Sequence, residues 1–206
     1  SYIIGSDDMR IIDSGSETYK KYKDLIDSSV LVVTKNNGTS QFCSGSLVNV
    51  DGNLRILSNH HCFAEKDANG RSTSKLLATA CFETSVYFNV IEGALDFVSK
   101  AECIPNSLYT DPIADIASFA LQGNLPENAS PIDFYSSEET AGRNVMIVHY
   151  PARQSHFKLV SKQNLMLPVA TITVDNCAII GQFPKDEWKQ EPVLSVSYRH
   201  NCDLIK

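Results

Sequence analysis

Short runs of β-branched and aromatic residues, broken by clusters of Gly, Asn, Asp, Ser and Pro, recur along the chain and predict strands. They place strands near 30–34, 45–50, 54–58, 75–81, 85–90, 113–121, 144–149, 157–161, 165–174, 177–181 and 193–198. Helical spacing stands out in one segment, Glu17 to Ile26, where Tyr19, Tyr22 and Ile26 share a face. No internal repeat or low-complexity tract interrupts this pattern. Many short strands with frequent turn signals predict an all-β sandwich or barrel. The polar stretch from Gln122 to Pro131 reads as a linker, dividing the chain into units 1–121 and 132–206.

Composition narrows the function. With 206 residues and 43% apolar side chains, the chain can bury a sizeable core. A net charge of −6 and the lack of a basic stripe argue against a nucleic-acid partner. No apolar run approaches the roughly 18 residues of a membrane span, which argues against a membrane partner. The stretch Ser1-Tyr2-Ile3-Ile4-Gly5 lacks the charged and apolar regions of a signal peptide, so a secreted form would be a processed one. Six cysteines without a Cys-x-x-Cys pair point away from zinc and thioredoxin-like chemistry and allow 15 pairings. Disulfides would imply an oxidising compartment, secreted or periplasmic. Asn37-Gly38-Thr39 and Asn128-Ala129-Ser130 fit the glycosylation sequon.

Candidate chemistry concentrates at Leu57-Ser58-Asn59-His60-His61-Cys62-Phe63, which follows the apolar run Leu54 to Leu57. Upstream lies Cys43-Ser44-Gly45-Ser46-Leu47-Val48, whose small residues allow backbones to approach closely. A Cys43–Cys62 disulfide would tie two neighbouring strands and fix His61 at the sheet edge. The two segments resemble Cys-Gly-Gly-Ser-Leu and Thr-Ala-Ala-His-Cys of the chymotrypsin-like (trypsin-fold) serine endopeptidases. Two further segments extend the resemblance. Asp115-Ile116-Ala117-Ser118-Phe119-Ala120-Leu121 is similar to the family's Asp-Ile-Ala-Leu-Leu-x-Leu. His200-Asn201-Cys202-Asp203 is similar to the segment before Gly-x-Ser-Gly in the bacterial trypsin-like and glutamyl-endopeptidase-like branch. The resemblance implies two antiparallel six-stranded β-barrels, with the active site in the cleft between them. It favours the Cys43–Cys62 pairing, and order along the chain adds Cys81–Cys103 and Cys177–Cys202.

By the same resemblance His61 is the general base and Asp115 the acid that orients it, as acyl transfer by a serine requires. Asp111 stands before Pro112 and is expected in a turn. His60 and His61 are read as lying on opposite faces of a strand, a poor metal chelate, so neither metal nor cofactor is expected. The family's nucleophile motif is absent from the sequence. Asp13-Ser14-Gly15-Ser16 and Ser44-Gly45-Ser46 imitate it without its strand-turn context. The serine is therefore expected on a C-terminal segment or second chain, which would also complete the second barrel. The resemblance places Asp203 at the floor of the primary pocket, favouring substrates cut after Lys or Arg. Ile3-Ile4-Gly5 resembles a mature protease N-terminus, although Ser1 and Tyr2 precede it. His149 and His156 are read as packing or loop histidines and are assigned no role, and Trp188 is read as a loop anchor. The expected function is a secreted serine endopeptidase acting on peptides or proteins. A catalytically inactive trypsin-fold binding or regulatory protein is the alternative.

Overall fold

The computed structural model describes residues 9–132, 142, 144–174, 177–182 and 198–200. The first half opens with β1 (Arg10–Ile11) and two short helices, α1 (Glu17–Lys21) and α2 (Lys23–Ser28). Then come β2 (Ser29–Asn36), β3 (Thr39–Val50), β4 (Asn53–Ser58), β5 (Ala64–Lys66), β6 (Ser72–Leu76) and β7 (Thr84–Phe88). After them come β8 (Ser99–Cys103), β9 (Tyr109–Asp111), β10 (Ile116–Phe119) and β11 (Leu121–Gln122). The second half contributes β12 (Ile147–His149), β13 (Phe157–Val160), β14 (Leu165–Pro168), β15 (Thr171–Thr173), β16 (Ile179–Gln182) and β17 (Tyr198–His200).

The main antiparallel sheet has the order β11-β8-β7-β2-β3-β4-β10-β9. Its two ends belong to one stretch of chain. In β10, Ala117 and Phe119 pair with Ser58 and Ile56 of β4. Beyond Ala120, Leu121 and Gln122 of β11 pair with Cys103 and Glu102 of β8. The 116–122 run thus changes partner at Ala120 and returns the sheet upon itself. The result is a barrel of β2, β3, β4, β10–β11, β8 and β7, with β9 added outside. Closure removes the unpaired edges that an open sheet would leave.

Side-chain alternation fills this barrel. Val30 and Val32 of β2, Cys43 and Leu47 of β3, and Ile56 of β4 share one buried cluster with Val86, Phe88, Ala101, Cys103, Ala117 and Phe119. The opposite face of β2 is buried as well. Leu31, Val33 and Tyr87 join Ile12, Ile26, Tyr150, Val160, Leu167 and Ile172 in a second cluster. The unbroken apolar run Val30 to Val33 reflects this burial on both faces. Tyr150 fastens the halves together, because its backbone N–H donates to Ser44 Oγ (2.9 Å) and its hydroxyl to Ser29 O (3.1 Å). The N-terminal arm does the same through β1, which pairs with β15.

The helical segment forms as two pieces meeting at Tyr22. Ser16 caps the first by accepting from Tyr19 N–H, and Asp13 Oδ1 accepts from Gly15 N–H. Asp13-Ser14-Gly15-Ser16 is therefore a helix start. Three sequence expectations change. The 75–81 strand ends at Leu76, and Cys81 lies in a turn with φ +69°. The 165–174 run divides into β14 and β15. β8, unforeseen, supplies a barrel strand. Among the described residues no helix is long and apolar enough to cross a membrane.

Candidate active site

After Ser58 the chain leaves β4 and coils through a single 3-10 turn, His60–Cys62. The expectation that His60 and His61 alternate along a strand is corrected here. His60 is 2% exposed, and its Nε2–H donates to Thr73 O of β6 at 2.8 Å. Cys62 is equally buried and joined to Cys43. Two anchored neighbours leave His61 half-exposed. Gln41 Nε2 adds a third constraint by donating to the carbonyl of His61 (3.1 Å).

The β9–β10 turn presents Asp115. Asp111 Oδ1 accepts from the N–H groups of Ile113 and Ala114 (2.9 and 3.0 Å), which makes Asp111 the turn's cap. Asp115 follows in the left-handed region at φ +52°, a conformation that Asp and Asn tolerate better than most residues. Its carboxylate grips His61 twice. Oδ1 accepts the His61 backbone N–H at 2.9 Å, and Oδ2 lies 2.8 Å from Nδ1. Asn59 Nδ2 donates to the Asp115 carbonyl (3.1 Å) and reaches Oδ2 at 3.4 Å. Partial burial works to raise the Asp115 pKa, but the two His61 hydrogen bonds outweigh it and hold the carboxyl below its ordinary value. An ionised Oδ2 accepts from Nδ1–H, so the free lone pair of the imidazole sits on Nε2. That is the electronic arrangement of a general base.

Packing beneath the pair fixes its two supports relative to each other. Phe63 follows Cys62, and Phe119 lies on the strand that leaves Asp115. Their buried rings meet edge to face with centroids 5.6 Å apart. Gly45 draws β3 toward its neighbours. A Cβ there would stand 3.0–3.1 Å from Val32 Cγ2, Ile56 Cγ2 and Leu57 O. The small residues of Cys43-Ser44-Gly45-Ser46 thus serve the close approach expected of them.

Two cavities flank the pair. One, of about 510 Å³, is lined by His61, Cys43 and Cys62 and reaches His149, Tyr150 and Lys66. The other, of about 300 Å³, lies against Asp115 and is lined by Ser44, Gly45, Ser46 and Val148. Ser44 Oγ accepts from Tyr150 N–H, and Ser58 Oγ donates to Ser44 O, so this segment is tied into the barrel wall. A His61 ring nitrogen and the sulfurs of Cys43 and Cys62 lie within 4.8 Å of one another. With both sulfurs in the disulfide, neither offers a thiolate to a metal.

Cys43–Cys62 and Cys81–Cys103 are both present as disulfides. Cys177 is also disulfide-bonded, while Cys202, Asp203, Trp188 and Ile3 to Gly5 lie outside the described residues. His149 is buried against Thr171. The Asn128 side chain exchanges hydrogen bonds with Asn89, which occupies one of the two sequon amides. Sequence reasoning missed the tethers Gln41, Asn59 and His60, whose partners are distant in the chain.

The model of the lysyl endopeptidase C-terminal domain matches residues 12–191, a span that includes His61, Asp115 and the whole barrel. No curated protein matches the sequence. Coverage of most of the chain, over a barrel that holds a histidine–aspartate pair beside a disulfide, places the chain in the lysyl endopeptidase C-terminal domain family, a family of trypsin-like serine proteases.

Proposed function

We propose that the protein is a serine endopeptidase that hydrolyses peptide bonds through an acyl-enzyme, cutting after lysine or arginine. The observation that carries this reading is the grip of Asp115 on His61. One oxygen holds the backbone N–H at 2.9 Å and the other meets Nδ1 at 2.8 Å, leaving Nε2 as the base. In the first step Nε2 takes the proton of a serine hydroxyl as its oxygen attacks the scissile carbonyl. The imidazolium then returns that proton to the departing amine, and Asp115 stabilises the cation throughout. Water repeats the sequence to release the acid. A purely binding protein would have no use for an aspartate held at this geometry.

The serine is supplied by a partner segment carrying Gly-x-Ser-Gly, a motif absent from residues 1–206. Ser14 sits in the helix-start segment, and Ser44 Oγ accepts from Tyr150 N–H. The cavity beside Asp115 gives the incoming segment room, and its backbone N–H groups provide the oxyanion hole. That segment also completes the second barrel, joined to the first through the 122–131 linker. Asp203 is assigned to the floor of the primary pocket, where a carboxylate would pair with a lysine or arginine side chain. The family's name favours lysine. Two disulfides suit secretion or a periplasmic setting.

A fluorophosphonate probe, followed by peptide mapping of the protein purified together with its partner segment, tests the reading. The labelled serine is expected in a Gly-x-Ser-Gly peptide outside residues 1–206, with labelling lost in His61→Ala. A label within residues 1–206 would overturn the nucleophile assignment, and no label at all would overturn the peptidase reading.

A further inference from the structure

We propose that Lys66 selects an acidic side chain among the residues that follow the scissile bond, an inference that rests on the peptidase reading. The nitrogen that returns a proton to the leaving amine belongs to His61, so the leaving peptide must start within hydrogen-bond reach of that ring. Of the two cavities beside the pair, His61 lines the one of about 510 Å³. The cavity on the Asp115 side does not include it. The leaving peptide therefore departs across the first cavity, whose walls include Phe42, the Cys43–Cys62 disulfide and Tyr150.

Charge in that cavity is one-sided. Among the described residues, and apart from the histidines, Lys66 is the charged side chain on its wall and no carboxylate lines it. The acids next to Lys66 in sequence are engaged elsewhere. Glu65 Oε1 meets Lys75 Nζ at 2.9 Å, and Asp67 Oδ1 accepts from Asn69 and Arg71 N–H, both at 2.9 Å. Among the described residues Lys66 has no ion-pair partner, so its charge is available to a ligand. Burial holds His149, on the same wall, at a pKa of about 4, so it adds no second cation near neutrality.

The hairpin that carries Lys66 is fastened to the catalytic turn. His60 donates to Thr73 O (2.8 Å), Thr73 Oγ1 donates to Glu65 O (3.1 Å), and Leu77 N–H donates to Phe63 O (2.8 Å). Lys66, which pairs with Ser72 across the hairpin, thus stands on a support that is rigid relative to His61. A glutamate or aspartate one or two residues past the cut meets Lys66 Nζ, with its methylenes against the disulfide and Tyr150.

The test compares matched peptides, with lysine before the cut and Glu, Gln or Lys after it, using the complete active protein. In the wild type, kcat/KM for Glu should exceed that for Gln by about threefold, the scale of a partly exposed ion pair. The ratio should fall toward one in about 1 M salt, where charges are screened within a few ångströms. Lys66→Gln should abolish it and Lys66→Glu should reverse it. Equal rates for Glu and Gln in the wild type, or a preference that survives Lys66→Gln, would overturn the proposal. A lysyl ester with no residue after the cut separates the two levels. Its hydrolysis alongside equal Glu and Gln rates sinks the Lys66 proposal alone, whereas failure to hydrolyse it sinks the peptidase reading as well.

Discussion

Asp115→Asn isolates what the carboxylate does for His61, because the change preserves size and the left-handed backbone. Both Asp115 oxygens accept hydrogen bonds from His61. An asparagine offers one oxygen and one NH2. The backbone N–H of His61 is an obligate donor, so the amide oxygen must turn to it and take the place of Oδ1. The NH2 then faces Nδ1, where two donors cannot meet, and the imidazole is driven to carry its proton on Nε2 instead. That tautomer cannot accept the serine's proton. The expected loss in kcat is about 10⁴-fold, the scale known for this substitution in a Ser-His-Asp triad. At 1.36 kcal/mol per tenfold, this is about 5 kcal/mol of transition-state stabilisation. Substrate affinity should change little, since Asp115 touches His61 and not the peptide. Lysyl ester kinetics measure the rate, and nitrogen NMR of the imidazole reads the tautomer directly. An Asp115→Asn protein with activity within about tenfold of wild type, or with its imidazole still protonated at Nδ1, would refute the reasoning.

Three further outcomes follow from the packing and burial around the site. In a double-mutant cycle, Phe63→Leu and Phe119→Leu should couple by about 0.5–1.5 kcal/mol in urea unfolding, the value of an edge-to-face pair; additive losses would deny that the rings join the two catalytic segments. Gly45→Ala should destabilise the protein by about 1–3 kcal/mol, the scale of overpacking, because the new methyl meets three atoms at 3.0–3.1 Å. Its urea midpoint should fall, and an unchanged midpoint would contradict the packing. Burial lowers the His149 pKa from 6.5 to about 4, aided by the nearby charge of His156, so the folded state resists protonation. Stability is then full above about pH 6.5 and declines toward pH 4, by up to about 3 kcal/mol at 1.36 kcal/mol per pKa unit. His149→Gln should flatten that slope, and an unaltered pH profile would refute it.

The barrel was legible where strands carry large β-branched residues. Val30 to Val33, Leu47 to Val48 and Ile56 all lie in strands that the apolar pattern predicts. β8 escaped because its inward residues, Ala101 and Cys103, are small, while Lys100 and Glu102 face outward and pair with each other. Its period-two alternation is present, but the apolar signal is weak. The 75–81 run failed for the opposite reason. Its apolar residues, Leu77, Ala80 and Cys81, do enter the barrel cluster, yet they do so from turns. Cys81 adopts φ +69° and bonds to Cys103, a constraint that hydropathy does not report. Closure at Ala120 was invisible too, because a change of strand partner leaves no mark on side-chain periodicity.

The candidate site divides along a similar physical line. His61 and Asp115 are singled out by the resemblance of the segments that carry them, one ending in a cysteine and the other opening an apolar strand, and the structure brings the two side chains together. Asp111 could be set aside because the proline after it favours a turn, and the structure gives its carboxylate to that turn. Groups that act by tethering were not legible. His60 reads as a poor metal ligand with nothing to foretell its bond to Thr73, and Gln41 has no motif at all. The reason is one of distance along the chain. A base must be named by its chemistry, which the sequence carries, but its orientation depends on partners 13 to 56 residues away. Lys66 is the sharpest case. In sequence it lies between two acids, Glu65 and Asp67. In space Glu65 turns to Lys75 and Asp67 closes a loop, so among the described residues the cation beside the His61 cavity is left without a counter-charge.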